Sequence, residues 1–146
     1  MKTRSRMIYF GFLAVLMLSE MVTSNIYSLF GPLDITAEMM GVSIAQERTR
    51  LIILIFLDAV PGIGALLVIR AYRRGGAAPA GRMAVMATTL GMIAYGIYQF
   101  WSATFQLGNM QNFVQLVGVV YSLLGVGAWL IGGDLRKGDV PGDSSG

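Results

Sequence analysis

Apolar residues form four long runs along this chain, and short polar segments separate them. The runs cover about residues 7–30, 50–72, 82–105 and 112–132. Because an α-helix rises about 1.5 Å per residue, roughly 20 apolar residues cross the hydrocarbon layer of a bilayer, which is about 30 Å thick. The pattern therefore predicts an all-α fold: a polytopic membrane protein whose residues 1–137 form a four-transmembrane-helix bundle.

The segments between the runs carry turn and cap signals. Pro32 ends the first run, and Asp34 is placed to cap a short helix at the membrane interface. Ser43 and Gln46 fit a capping box, which predicts that the second helix begins before the membrane. The tail, residues 138–146, is rich in Gly, Asp and Ser and is predicted to be disordered.

The composition supports a membrane protein and excludes several kinds of chemistry. Charged residues make up 13% of the chain, whereas soluble domains carry about 25%, so polar material is too scarce to coat a water-exposed surface. The sequence has no cysteine and no histidine, which removes thiolate nucleophiles and the usual ligands of haem and zinc. No catalytic residue, metal site or cofactor is predicted and no enzyme activity is evident, although carboxylates leave open the binding of a hard cation.

Basic residues cluster on one side of the predicted topology. Nine of the eleven Lys and Arg residues lie in the N-terminal segment, the second connection or the C-terminal tail, and only Arg48 and Arg50 lie in the first connection. An excess of Lys and Arg marks the cytoplasmic side. The sequence thus predicts a multi-pass protein of a bacterial plasma membrane with both termini in the cytoplasm. The net charge of +3 indicates contact with anionic lipid rather than with nucleic acid, because no basic face interleaved with aromatic residues is present.

The N-terminal segment also has features of a signal peptide. A basic start over residues 1–6 precedes an apolar stretch over 7–18, and the small residues Thr23 and Ser24 follow. The apolar run continues through Tyr27, so a retained first span is the preferred interpretation.

Two carboxylates interrupt the first two apolar runs. Ionisable residues at membrane depth are costly, usually face the interior of a bundle, and mark candidate functional sites. From the cytoplasm, Glu20 lies about 20 Å along its helix, and from the outside Asp58 lies about 10 Å along its own. Gln99 and Gln115 fall at a similar depth on the third and fourth helices, so all four helices carry polar groups in the outer half.

Helical spacing predicts which polar residues share a face. Residues three and four apart lie on one side of an α-helix, which groups Glu20 with Thr23, Ser24 and Tyr27, and Tyr95 with Gly91, Gln99 and Ser102. The prediction is a polar pocket open to the outside whose ligand-binding or proton-carrying residues are Glu20, Asp58, Gln99, Tyr95, Gln115 and Tyr27.

Three roles remain open for the two acids. They bind a ligand or carry a proton, they make structural hydrogen bonds, or they meet a larger partner. No basic residue is expected at their depth, because Arg48 and Arg50 are placed nearer the surface. Two carboxylates in a medium of low dielectric constant do not both ionise readily, so one is expected to hold a proton.

Small residues predict where the helices pack closely. In a bilayer, helices associate through close packing at small side chains rather than through the hydrophobic effect. The positions expected at these contacts are Gly62, Gly91, Gly118, Ser122 and Gly125.

The order of these features resembles small DoxX-like membrane proteins. The resemblance rests on a basic start, one span, a loop that opens with Phe30-Gly31-Pro32 and ends with Gly41-Val42, and Arg50 before a glycine-rich second span. It implies a four-helix fold in a bacterial inner membrane and no particular chemistry.

The acids also resemble a second group, the emopamil-binding and sigma-2-receptor superfamily. There, four helices enclose a pocket with acids on the first two spans, as Glu20 and Asp58 are placed here, with Tyr95, Trp101 and Tyr121 as possible aromatic walls. The long external acid-bearing loops and the histidine often found in that superfamily are missing, which argues against sterol-isomerase chemistry.

These features lead to one functional expectation with alternatives. The chain is expected to be an accessory subunit of a membrane complex, or to bind a lipid-like or cationic small molecule through the acidic pocket. A proton-coupled transporter subunit and a membrane lipid isomerase are the alternatives. The expected partners are the lipid bilayer, a larger membrane complex or further copies of the chain, and a lipid-like ligand.

Overall fold

The computed structural model describes residues 2–75, 79–104 and 111–137, and every regular element in these ranges is helical. The predicted disordered tail lies outside the described residues. The elements are α1 (Thr3–Glu20), a π-helical segment (Met21–Ile26), α2 (Tyr27–Phe30), α3 (Leu33–Met40), α4 (Ile44–Arg73), α5 (Pro79–Ala103), α6 (Gln111–Ile131) and α7 (Gly133–Lys137).

Four of these helical stretches are long and apolar enough to cross a membrane, which confirms the predicted all-α four-helix bundle. We call them the first to fourth spans. They are Thr3–Phe30, Ile44–Arg73, Pro79–Ala103 and Gln111–Ile131. The second span begins six residues earlier than the hydropathy pattern indicated, because the capping box starts the helix ahead of its apolar part.

Both hydrogen bonds of the predicted capping box at the start of α4 are present. The Gln46 backbone N–H donates to Ser43 Oγ at 3.1 Å, and the Ser43 N–H donates to Gln46 Oε1 at 3.0 Å. The prediction that Asp34 caps the preceding helix is wrong, since α3 begins at Leu33 and Asp34 lies within its first turn. Gly41 ends α3 with a φ of 69°, a left-handed conformation that glycine adopts without strain.

The spans pack in chain order, each against the next. The third and fourth spans share the most extensive interface, whereas the backbones of the first and fourth spans meet little. Long side chains connect the first span to the fourth span and to α7 instead. The Tyr9 hydroxyl donates to the Leu124 carbonyl on the fourth span at 2.6 Å, and Arg6 forms an ion pair with Asp134 on α7 at 2.5 Å. We call the end of the bundle that holds this ion pair the α7 end, and the opposite end the α3 end.

A glycine contact makes the interface of the third and fourth spans possible. A Cβ atom on Gly118 would lie 2.5 Å from the Gly96 carbonyl oxygen and 2.9 Å from the Phe100 backbone nitrogen. Real Cβ atoms do not approach backbone that closely, so the two helices fit only because the position lacks a side chain. The other predicted packing glycines are also at close contacts, namely Gly62 against Leu18, Gly91 against Pro61 and Gly125 against Met92.

Large apolar side chains fill the interior between the two ends of the bundle. Six of them are completely buried: Phe10, Leu13, Met17, Val68, Val85 and Met92. Many apolar side chains on the opposite helix faces are exposed, as expected for surfaces that face lipid. The core therefore separates the polar groups at the α3 end from those at the α7 end.

Candidate binding site

A change of helical pitch in the first span organises the candidate site. After Glu20, the backbone continues as a π-helix over Met21–Ile26, in which hydrogen bonds span five residues instead of four. Asn25 consequently becomes buried, with only 4% of its surface exposed, whereas Tyr27 is 65% exposed. The prediction that Tyr27 shares a face with Glu20 is therefore wrong, whereas Ser24 and Glu20 line one cavity.

Glu20 joins three spans through two tyrosine hydroxyls. Tyr95 on the third span donates to Oε1 at 2.6 Å, and Tyr121 on the fourth span donates to Oε2 at 2.6 Å. The two rings stack with their centroids 4.8 Å apart and their planes at 30°. Each carboxylate oxygen therefore has one hydroxyl donor and retains capacity to accept a further hydrogen bond.

Asp58, on the second span, is completely buried. Asn25 donates a hydrogen bond from Nδ2 to Asp58 Oδ2, and Oδ1 has no hydrogen-bond partner among the described residues. Asn25 in turn lines one cavity together with Glu20. The two acids of the first and second spans thus belong to one polar cluster.

Gln99 extends the cluster along the third span. Its Nε2 donates to the Tyr95 hydroxyl at 2.9 Å, while its Oε1 is buried without a partner in the part of the chain that the structure describes. Gly91, Tyr95, Gln99 and Ser102 are all buried, so the predicted stripe on this helix is confirmed. The cluster therefore contains two buried oxygen acceptors, Asp58 Oδ1 and Gln99 Oε1, that lack donors.

A cavity of about 160 Å³ adjoins this cluster at the α3 end of the bundle. Two of its lining residues are exposed, Ser24 on the first span and Phe113 on the fourth, so the cavity reaches the surface of the bundle. Sites for drug-sized ligands occupy roughly 300–1,000 Å³, so this one fits only a compact group. The lining consists of Glu20, Ser24, Asn25, Met40, Arg50, Leu54, Gln99, Phe113, Val114 and Val117.

A basic residue, Arg50, lines the same cavity, contrary to the prediction that none lies at this depth. Glu47, one turn earlier on α4, is completely buried and explains its position. The Arg50 guanidinium donates from Nε to Glu47 Oε2 at 2.9 Å and from Nη2 to Oε1 at 2.7 Å. This paired geometry holds the cation at the cavity wall.

The structure places the predicted site residues in three different settings. Glu20 and Gln99 line the cavity, whereas Tyr95 and Asp58 belong to the polar cluster but do not line the cavity. Tyr27 is exposed, and Gln115 is half-buried on the fourth span and does not line the cavity.

Sequence reasoning missed two residues of the site, Asn25 and Arg50. For Asn25, a signal was present in the sequence: an amide within an apolar run, five residues after Glu20. For Arg50, the signal was Glu47, an acid placed three residues earlier on the same helix.

Comparisons with known proteins gave no match. No protein-family model matches the chain, and neither a curated protein nor a solved structure matches it. The resemblances to DoxX-like proteins and to the emopamil-binding superfamily stay predictions. The chemistry of the site therefore rests on its own residues.

Proposed function

We propose that this chain is a small integral protein of the plasma membrane that binds a compact cationic group in the cavity at its α3 end. The observation that carries the proposal is the surplus of buried acceptors beside the cavity. Gln99 lines the cavity and is 7% exposed, yet its Oε1 has no donor among the described residues. Asp58 does not line the cavity but is hydrogen-bonded to the lining residue Asn25, and its Oδ1 also lacks a donor there. Buried polar atoms of native proteins are nearly always paired, so such atoms need an explanation.

An ammonium group is the complementary ligand for this arrangement. It offers N–H donors and no acceptor, and hydrogen bonds between charged partners are stronger than neutral ones. Glu20 supplies the opposite charge at the wall, and its two tyrosine contacts hold the carboxylate in one orientation. The small volume favours a single ammonium or a lipid headgroup over a large polycyclic amine.

The packed interior favours binding over transport. Phe10, Leu13 and Met17 are completely buried between the two ends of the bundle, and so are Val85 and Met92 opposite them. A proton or solute that reached Glu20 would meet this mainly apolar core, whose buried polar residues include Thr88 and Thr89, before it reached Asp134. Binding from one side of the membrane therefore has more support than proton-coupled transport, and lipid isomerisation has no support beyond the two acids themselves.

Removal of the Glu20 charge is expected to weaken ammonium binding at least tenfold. The probe is ethylammonium, titrated by calorimetry at pH 7 into protein purified in a non-ionic maltoside. Glu20→Gln keeps the shape of the side chain and one acceptor but abolishes the charge that faces the cation. Asp58→Asn is expected to weaken binding in the same direction.

The matched control for this titration is Glu38→Gln, since Glu38 is an exposed acid on α3 at the same end of the bundle. It should leave the ethylammonium affinity unchanged. Equal affinity in the wild type, Glu20→Gln and Glu38→Gln would contradict the proposed site, because the carboxylate would then play no part in binding.

The distribution of basic residues leads us to place both termini in the cytoplasm, with the cavity toward the outside. Reporter fusions after Gly146 should give a cytoplasmic signal, and fusions inserted within residues 37–42 should give a periplasmic one. A periplasmic signal from the C-terminal fusion would contradict this orientation.

An accessory-subunit role is compatible with cation binding and has a separate test. Purification from native membranes in a mild detergent would recover a larger complex at constant stoichiometry. Recovery of the chain alone would count against that role.

A further inference from the structure

Charges of both signs line the same small cavity. Glu20 lies on the first span and Arg50 on the second, and both belong to its wall. The other basic residue near this end, Arg48, is exposed and does not line the cavity. In a volume of about 160 Å³, one compact molecule reaches both walls.

The ion pair with Glu47 fixes the position of the Arg50 guanidinium but uses only some of its N–H donors. The two hydrogen bonds to Glu47 use two of the five N–H donors of the guanidinium. Because the Glu47 side chain is completely buried, the pair holds the planar guanidinium in one orientation. The three donors that Glu47 does not use suit an oxyanion such as a carboxylate or a phosphate.

Neither a simple cation nor a simple anion complements the whole lining. An ammonium alone would pair with Glu20 and the Gln99 oxygen but leave the Arg50 donors without an anion. An anion alone would pair with Arg50 but face Glu20 and the nearby Asp58, and like charges at short range are strongly unfavourable. A molecule that carries both charges matches both walls.

We propose that the occupant of the cavity is a compact zwitterion, with its ammonium group toward Glu20 and Gln99 and its anionic group on Arg50. This inference rests on the proposed function, because it requires the ammonium site at Glu20. Two sources supply this chemistry: a free solute such as phosphoethanolamine, and the headgroup of phosphatidylethanolamine. The exposed lining residues Ser24 and Phe113 bring the cavity to the surface of the bundle, which is compatible with either source.

The test compares three ligands that share one scaffold, namely phosphoethanolamine, ethylammonium and ethyl phosphate, each titrated into protein in non-ionic maltoside. We expect phosphoethanolamine to bind at least tenfold more tightly than ethylammonium, and ethyl phosphate to bind most weakly. Arg50→Gln should reduce the preference for phosphoethanolamine over ethylammonium to less than twofold. The exposed neighbour provides the matched control, Arg48→Gln, which should retain the full preference.

A second variant distinguishes a loss of ligand contact from a folding defect, because Arg50→Gln alone leaves the buried Glu47 without its partner. The double substitution Glu47→Gln with Arg50→Gln removes both charges together. It should lose the preference for the zwitterion, so that phosphoethanolamine and ethylammonium bind within twofold of each other. A double variant that keeps the full preference would overturn the assignment of the anionic group to Arg50.

The outcomes separate the two proposals. If ethylammonium binds through Glu20 and phosphoethanolamine binds no more tightly, the zwitterion is overturned and the cation site stands. If neither ligand binds, both proposals fail.

A lipid experiment then identifies the source of the zwitterion. Nanodiscs of phosphatidylglycerol, with and without phosphatidylethanolamine, are titrated with free phosphoethanolamine. A lower apparent affinity in the presence of phosphatidylethanolamine supports occupation by the headgroup, and an unchanged affinity supports a free solute.

Discussion

Gly118→Leu is expected to lower the free energy of unfolding by about 3 kcal/mol or more, because overpacking at a close contact forces backbone to move. The Cβ alone would lie 2.5 Å from the Gly96 carbonyl oxygen on the facing helix, and the remaining leucine atoms need further space. The third and fourth spans would have to separate, although they form the most extensive interface of the bundle. Denaturation in mixed micelles, followed by circular dichroism, measures the effect.

Val119→Leu is the matched control for this substitution. Val119 is the next residue on the same helix and is 45% exposed on the side that faces lipid. Its replacement should change stability by less than about 0.5 kcal/mol, as exposed positions usually do. Similar stability of the two variants would contradict the close contact of Gly118 with the third span.

Glu20→Leu is expected to destabilise the bundle by about 2–5 kcal/mol, since each buried donor left without an acceptor costs about 1–3 kcal/mol. The substitution leaves the hydroxyls of Tyr95 and Tyr121 without the carboxylate that both of them use. Glu20→Gln should cost less, because its amide oxygen still accepts one hydrogen bond. The same denaturation experiment measures these changes.

A double-mutant cycle shows whether the tyrosine contact is the cause. Tyr121→Phe in the Glu20→Leu background removes one unpaired hydroxyl, so the double variant should be more stable than the sum of the two single effects predicts. If the two effects on the free energy of unfolding were strictly additive, the contribution of Glu20 to stability would not depend on Tyr121. In the wild type, Tyr121→Phe should also loosen the contact between the first and fourth spans, whose backbones meet little.

The four spans and their approximate limits were predictable because each depends on a local property of the chain. A run of apolar residues long enough for the bilayer forms a helix in almost any context, since every backbone polar group must be paired within the segment. The capping box of Ser43 and Gln46 was predictable for the same reason, as its partners are three residues apart. The buried stripe that contains Tyr95 and Gln99 follows from regular helical spacing.

The site itself was only partly predictable. Sequence reasoning identified Glu20 and Asp58 and their similar depth, because carboxylates stand out in an apolar run. Sequence reasoning also predicted that Tyr27 lies on the same helix face as Glu20, because it assumed 3.6 residues per turn. The π-helical segment over Met21–Ile26 breaks that spacing, which buries Asn25 and exposes Tyr27.

The prediction that Arg50 lies nearer the surface was wrong for an electrostatic reason. An arginine near the end of a span normally extends toward water, because its long side chain carries the charge to the interface. Here Glu47 is completely buried one turn away and pairs with both edge nitrogens of the guanidinium. The local ion pair outweighs exposure to solvent, so the charge stays at the cavity wall.

The class of the protein, its four helices and their polar positions follow from properties that a single segment carries, namely hydropathy, cap residues and helical period. The hydrogen-bond partners of Glu20 do not follow from any single segment, because Tyr95 is 75 positions away in the sequence and Tyr121 is 101 positions away. Which side chains meet across neighbouring helices depends on how each helix is rotated about its axis and on how closely glycines let the helices approach. Those quantities arise from packing among all the spans together, and they decide that the polar groups enclose a cavity with charges of both signs.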